Sequence, residues 1–244
     1  MDPDIEELFA PIAPSAAFGV VLSEAQDVLT QVRDPADAEL WGSDTLGALS
    51  RSVGEDELAA TLVPAAEQAA TPGALALLRV LSSLGSAELR KTSTQAAERM
   101  VASGMPDPSW SSGLGAPALG ACWCYGDVAG QQESVTASFA YGAKEHALSV
   151  LVDHTRGGKI RDVWVNDARG LLDKTWLAAE NDPGVVFEKI GPAEAGAKLR
   201  QAVTAGEAPQ KPDETDDIRA HRALLRSRLA LLESSGPPAL PPAE

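Results

Sequence analysis

The chain has few aromatic residues and no long apolar run. Only 4 Phe, 5 Trp and 2 Tyr occur among its 244 residues, so the core must be built mainly from Ala, Leu and Val. A run of about 18 apolar residues, as a membrane-spanning helix needs, is absent. The first residues, Met1-Asp2-Pro3-Asp4, lack the basic region of a signal peptide. We therefore expect a cytoplasmic protein with no membrane partner.

Cysteine is almost as scarce. Cys122 and Cys124 are the only two, which is too few for a disulfide framework. No His or Cys stands at a spacing that would complete a zinc site with them. Residues two apart on a strand share a face, so both are expected to be small buried residues. Signature motifs for hydrolases, zinc proteases and kinases are also missing, and we predict no cofactor.

Basic residues are also scarce relative to acidic ones. The chain has 20 Lys and Arg against 35 Asp and Glu, for a net charge of −15. Such a charge disfavours free attraction to phosphate backbones or anionic lipid. Residues 1–105 carry 6 basic and 16 acidic groups. This excess predicts a protein partner with a basic patch and argues against a nucleic-acid partner.

The first 105 residues are predicted to form a helical domain. Apolar residues recur there three and four positions apart, and helix start signals are frequent. The spacing leaves two architectures open, a helical bundle and a short α-solenoid. The predicted helices cover residues 23–33 after a cap at Ser23, 35–49, 55–70 with a bend at Pro64, 72–84 and 86–104.

Residues 106–117 are rich in Gly, Pro and Ser and are predicted to be a linker. After them the apolar period changes from 3.6 to 2, which predicts a strand at 119–125 followed by two hairpins. Two-residue loops at Gly142-Ala143 and Gly157-Gly158 place eight apolar residues on one face. The predicted pairs are Val135 with Val150, Ala137 with Leu148, Phe139 with His146, Val150 with Val165, and Val152 with Val163.

Two helices, at 168–180 and 192–204, are predicted to cover the apolar face of this sheet. The expected fold is therefore α+β: a helical N-terminal domain at 1–105, then a small four-stranded antiparallel sheet covered by helices at 118–205. Residues 206–233 are predicted to form a linker and a C-terminal helix. The Pro-rich tail at 234–244 is expected to be extended and disordered.

The predicted register places Asp153 opposite Asp162. Like charges in direct opposition are destabilising unless something compensates for them. One interpretation is a divalent metal site or an acid–base pair, with His154 nearby in the sequence. The other interpretation is that both carboxylates are solvated or paired with nearby basic residues, Arg161 among them. His154 and Arg161, which face each other in the predicted register, are also candidate binding residues.

Two tryptophans are candidate binding residues. Trp110 lies in the predicted linker, and Trp164 lies on the polar face of the sheet beside Asp162. Exposed indoles often anchor binding surfaces, although each ring could instead pack under a neighbouring loop or helix.

The stretch Ser149-Val-Leu-Val-Asp-His154, followed by Gly157-Gly158 and Arg161-Asp-Val-Trp-Val-Asn166, resembles a pattern in uncharacterised proteins of actinobacterial type. The similarity covers mainly residues 120–167. It implies a cytoplasmic bacterial protein and no particular activity.

These observations favour a non-catalytic protein-binding or scaffold protein. The first alternative is a metal-dependent hydrolase or nuclease-like enzyme centred on Asp153 and Asp162. The second is a nucleic-acid-associated factor that uses the arginines of the C-terminal helix, Arg219 to Arg228.

Overall fold

A computed structural model of the chain describes residues 14–206 and 215–235. This part contains eight α-helices and a five-stranded antiparallel sheet, which confirms the α+β class. The predicted tail lies outside the described residues except for 234 and 235, and so does the linker segment 207–214. In order, the elements are α1 (Pro14–Val28), α2 (Pro35–Leu49), α3 (Glu55–Ala69), α4 (Pro72–Leu84), α5 (Ala87–Ala102), β1 (Ala118–Asp127), β2 (Gln132–Tyr141), β3 (Lys144–Asp153), β4 (Lys159–Asp167), α6 (Leu171–Asn181), β5 (Val185–Ile190), α7 (Pro192–Gly206) and α8 (Asp216–Ser234).

The chain divides into two compact units. Of the described residues, the first unit comprises 14–33 and 49–112, and the second comprises 34–48, 113–206 and 215–235. Helix α2, apart from its last residue Leu49, thus belongs to the second unit, although its residues lie in the segment for which the sequence predicts a helical domain. None of the described helices is long and apolar enough to cross a membrane.

Helix α4 is the central helix of the first unit and packs against α1, α3 and α5. Its N-cap Thr71 accepts a hydrogen bond of 3.1 Å from the backbone N–H of Ala74, and Pro72 follows in the first turn, where no N–H is needed. Gly73 lies so close to α1 that an added Cβ would stand 2.3 Å from the Cα of Gln26. Helix α4 therefore buries most of its residues against these three helices.

The start of α1 differs from the prediction. The helix covers Pro14–Val28, whereas the expected cap was Ser23. Phe18 and Val21 are buried with Ala25, so the apolar stripe continues upstream of Ser23 and the helix extends with it. The other predicted helices of the chain agree with the structure to within about three residues.

The sheet has the strand order β4-β3-β2-β1-β5, with five strands and not the predicted four. The missed strand β5 has only six residues and follows the Asp182-Pro183-Gly184 turn. Its adjacent Val185 and Val186 break the alternation of apolar and polar residues by which a half-buried strand is recognised.

The structure gives the predicted pairing in the first hairpin and a different one in the second. Val135 pairs with Val150, and Phe139 with His146, as expected. In the second hairpin Val150 pairs with Val163 and not with Val165, because a 3₁₀ turn at His154–Arg156 lengthens the loop. A shift of two residues leaves every side chain on its original face, so the apolar set is preserved.

The apolar face of the sheet packs against α7 and α8. Their contribution to this core includes Leu199, Leu225 and Leu232. Helix α6, which was expected to cover the same face, lies instead on the opposite face, where Leu171 and Leu172 pack near Trp123.

Candidate functional site

Asp153 and Asp162 do not face each other. Asp153 pairs with Lys159, and Asp162 pairs with Leu151, on either side of an irregularity in the ladder between Leu151 and Val152. The predicted opposition of two carboxylates is therefore wrong. The misplaced loop of the second hairpin is the reason, since the pairing was counted from Gly157-Gly158.

Each of these carboxylates binds within its own segment. Asp153 accepts hydrogen bonds from Thr155, at 3.0 Å from the backbone N–H and 2.6 Å from Oγ1, and these bonds hold its pKa below the usual range. The Arg161 guanidinium lies 3.9 Å from the other oxygen of Asp153. Asp162 accepts a bond of 2.8 Å from the backbone N–H of Val163. Residues 14–206 and 215–235 contain no group of three or more His, Cys, Asp or Glu side chains arranged to hold a metal ion.

His154 belongs to a cluster around Glu133. The carboxylate of Glu133 lies 3.1 Å from Nε2 of His154 and 3.0 Å from Nζ of Lys198 on α7. Burial raises the pKa of Glu133, but the hydrogen bonds from Lys198 and His154 outweigh this effect and leave it lowered. Burial raises the pKa of the neighbouring Cys124 thiol to about 12, which disfavours its thiolate form. Sequence reasoning missed Glu133 and Lys198, which are 65 positions apart.

The two tryptophans differ in accessibility. Trp110 is buried, so its indole ring cannot anchor a partner. Trp164 is half-buried on the sheet face opposite the apolar core. It pairs across the strands with Ser149, whose hydroxyl bonds to that of Thr136 at 2.9 Å.

The arginines of α8 do not form one exposed stripe. Arg219 pairs with Asp216 one turn earlier. Arg228 is completely buried and forms an ion pair with Glu39 of α2, which is also completely buried. This burial removes Arg228 from any nucleic-acid interface on the helix.

Arg228 is the centre of a buried polar cluster in the second unit. Its Nη2 lies 3.2 Å from Nε2 of His146 on β3, and its guanidinium stacks over the rings of Phe139 and Tyr141. Tyr141 donates a hydrogen bond of 2.9 Å to Glu39. The cluster thus joins α2, α8 and two strands, and the charges of Glu39 and Arg228 neutralise each other within it. Among the described residues, Nε and Nη1 of Arg228 and Nδ1 of His146 are buried without a hydrogen-bond partner, and Tyr141 is half-buried, so the ion pair and the hydrogen bonds satisfy the cluster only in part.

The remaining feature is an exposed apolar pair on α6. Trp176 is 47% exposed and Leu177 is 54% exposed, and none of the eleven residues of this helix is fully buried. Leu171 and Leu172 attach the helix to the sheet. Since 100° separates successive residues of a helix, Leu177 points almost directly away from that attachment and Trp176 points to one side.

Two acidic residues flank this pair. Asp173 precedes Trp176 by three positions and Leu177 by four, and Glu180 follows them by four and three. Residues at these spacings are neighbours on a helix surface. Both carboxylates are exposed, and so is Lys174, which precedes Leu177 by three positions, so the pair is an apolar spot whose rim carries two acidic residues and one lysine.

Searches of this chain against protein-family models, curated proteins and solved structures return no match in any of the three comparisons.

Proposed function

We propose that the protein is a protein-binding module and that α6 is its contact surface. The observation that carries this proposal is the exposure of Trp176 and Leu177 on a helix that buries none of its residues fully. Tryptophan is enriched among the residues that dominate binding energy at interfaces. Transfer of a large apolar side chain from water into a partner's apolar pocket releases the most binding free energy, because it removes the largest apolar area from water.

The rim defines the chemistry of the partner. Asp173 and Glu180 would attract Lys or Arg beside the pocket that receives Trp176 and Leu177. They would also repel phosphate groups, which disfavours both anionic lipid and nucleic acid as the ligand of this helix. The net charge of −15 acts in the same direction over a longer range. The expected partner is a protein with an apolar pocket bordered by basic residues.

The test compares variants of the full chain against one purified partner. Proteins captured by the tagged wild-type chain are identified, and each is then titrated directly. The double variant Trp176→Ala, Leu177→Ala should weaken binding at least about tenfold, because it removes the anchor. Val20→Ala is the matched control, since Val20 is also exposed, at 64%, but lies on α1. An unchanged melting temperature shows that the variants fold.

The rim is tested separately. Asp173→Lys with Glu180→Lys should slow association and remove its dependence on salt, with a smaller effect on dissociation. Partners that bind the Trp176 and Leu177 double variant as tightly as the wild type would contradict the proposal.

A further inference from the structure

Helix α8 is joined to the rest of the second unit through side chains. Its apolar residues Leu225, Leu229 and Leu232 belong to the core of the sheet, and the hydroxyl of Ser43 on α2 donates to the carbonyl of Ala220 at 2.6 Å. Among residues 14–206 and 215–235, no backbone–backbone hydrogen bond links α8 to another element. The helix can therefore dissociate with its own hydrogen bonds intact, whereas strand β3 shares a ladder with a neighbour on each side.

One contact between α8 and the sheet depends on the protonation of His146. Nη2 of Arg228 donates to Nε2 of His146 at 3.2 Å, and both side chains are buried. The neutral ring that accepts this bond carries its proton on Nδ1, so a second proton must bind at Nε2. Protonation therefore replaces the hydrogen bond by two donors that face each other, and places two cations side by side.

The other charged and titratable groups around His146 do not remove this repulsion. Besides Arg228 of α8, they are Glu39 and Asp37 of α2, Tyr141 of β2, Lys144 of β3 and Asp167 of β4. Glu39 already binds Arg228 and Tyr141, and Asp37 lies 3.2 Å from Nζ of Lys144. Asp167 is exposed and accepts a bond of 2.9 Å from the backbone N–H two residues later. The added proton thus leaves the cluster with an unbalanced positive charge.

The two cations can separate only by a movement of the helix. The side chain of Arg228 is 0% exposed, and its guanidinium lies 5.2 Å from the centre of the Phe139 ring and 5.8 Å from that of Tyr141. It therefore has no water beside it into which it could rotate. His146 is fixed by its strand, which pairs with both β2 and β4.

We propose that His146 is an acid-sensitive switch for α8, and that its protonation in mild acid promotes dissociation of α8 from α2 and the sheet while the strands stay paired. The dissociated state exposes the apolar residues Leu225, Leu229 and Leu232 together with the part of the sheet that they cover. This inference goes beyond the proposed function, because it concerns α8 and does not involve α6.

The magnitude follows from the two environments of His146. With α8 in place, burial and then the charge of Arg228 lower the pKa of His146 to about 4. After dissociation the ring is solvated and has its ordinary pKa of 6.5. The equilibrium constant for dissociation should then rise about 20-fold from about pH 7 to about pH 5. Global unfolding gains the same factor, so the experiment must separate a local opening from a global one.

The experiment is hydrogen exchange of the full chain at about pH 7 and about pH 5, in a series of low urea concentrations, with rates corrected for the intrinsic effect of pH. Amides of residues 223–232 report on α8, and those of 135–139 and 147–150 report on the sheet. In the wild type, the α8 amides should be less protected than the sheet amides and less dependent on urea, because release of one helix exposes less surface than unfolding. Their protection should fall about 20-fold from about pH 7 to about pH 5.

Two variants assign the response to one histidine. His146→Gln keeps an acceptor for Arg228 but does not titrate, so the pH response of the α8 amides should disappear. His221→Gln is the matched control, since His221 lies on α8 itself, with Nδ1 2.9 Å from the carbonyl oxygen of Asp217, and has no part in the cluster. This variant should keep the response of about 20-fold. Melting temperatures at neutral pH show that both variants fold.

Equal protection and equal urea dependence of the α8 and sheet amides in the wild type would overturn the inference, because the opening would then be global. It would also be overturned by an α8 opening that does not change with pH, by a response that persists in His146→Gln, or by one that is lost in His221→Gln. The wild-type comparison tests the inference even if His146→Gln does not fold.

Discussion

Protonation of one buried histidine should make the protein less stable in mild acid. His146 is 4% exposed and stacks against the rings of Phe139 and Tyr141. Burial, followed by the positive charge of Arg228, lowers its pKa from 6.5 to about 4. The arginine donates to Nε2 at 3.2 Å, so the folded state holds a neutral imidazole with its proton on Nδ1.

The magnitude follows from the difference between the two pKa values. In the unfolded chain His146 has its ordinary pKa of 6.5, and the unfolded state therefore binds more protons between about pH 6.5 and about pH 4. The contribution of the neutral His146 side chain to the free energy of unfolding is fully present above this pH window and is lost as the pH falls through it. At about 1.36 kcal/mol for each unit of pKa, the total loss is about 3.4 kcal/mol, of which about 2 kcal/mol falls between about pH 7 and about pH 5.

The charged groups around His146 set the sign of its shift. Lys144 lies two positions away on β3 and adds to the lowering by Arg228, whereas Asp37 on α2 opposes it. Glu39 is already paired with Arg228. The net field therefore disfavours an imidazolium, in the same direction as burial.

The assay is urea unfolding of the wild type and of His146→Gln at several pH values. Glutamine keeps an acceptor for Arg228 but does not titrate, so the variant should lose about 2 kcal/mol less than the wild type between about pH 7 and about pH 5. The comparison cancels the titration of carboxylates, which both proteins share. Parallel pH profiles would refute the reasoning, since His146 would then have the same pKa folded and unfolded.

Two further predictions concern packing and buried charge. Arg228→Met should lower the free energy of unfolding by about 3–5 kcal/mol, because it leaves Glu39 buried without its cation. Adding Glu39→Gln should recover part of that loss. Equal stabilities of the single and double variants in urea titration would contradict this coupling. Gly73→Ala should lower the melting temperature, because its Cβ would meet the backbone of α1. Gly19→Ala should raise the melting temperature slightly, because an added Cβ there has nothing within 4 Å and favours the helix. A rise in both variants would contradict the close packing at Gly73.

The sequence predicts those elements whose signals are local. Thr71 and Pro72 mark the start of α4 by a cap and a fixed φ, and the structure begins the helix there. The hairpin around Gly142 is predicted in register because its loop is short and its strands alternate cleanly. The loop after Asp153 is not, because Asp153 accepts hydrogen bonds from Thr155 and turns the chain before Gly157. A side-chain turn of this kind competes with the simple two-residue loop.

Residues that contact each other from distant positions in the sequence leave no comparable local signal. Glu39 and Arg228 are 189 positions apart, and each occurs in a helix whose polar residues are expected to face water. Only the complete second unit brings α2 and α8 to the same sheet. For the same reason the helical spacing at 35–49 predicts the helix but gives no information about the unit to which it belongs.

Polar residues are usually exposed and large apolar residues are usually buried. This protein has exceptions of both kinds, and they have different causes. Arg228 is buried, yet Glu39, His146 and two aromatic rings surround it, so its charge acts within the fold. Trp176 and Leu177 are exposed, and the sheet contacts of α6 come from Leu171 and Leu172. A buried charge that is paired accounts for its own position, whereas an exposed tryptophan gains its missing contacts only from another molecule. We therefore expect a partner to bind at the exposed surface of α6 and not at the buried charged cluster around Arg228.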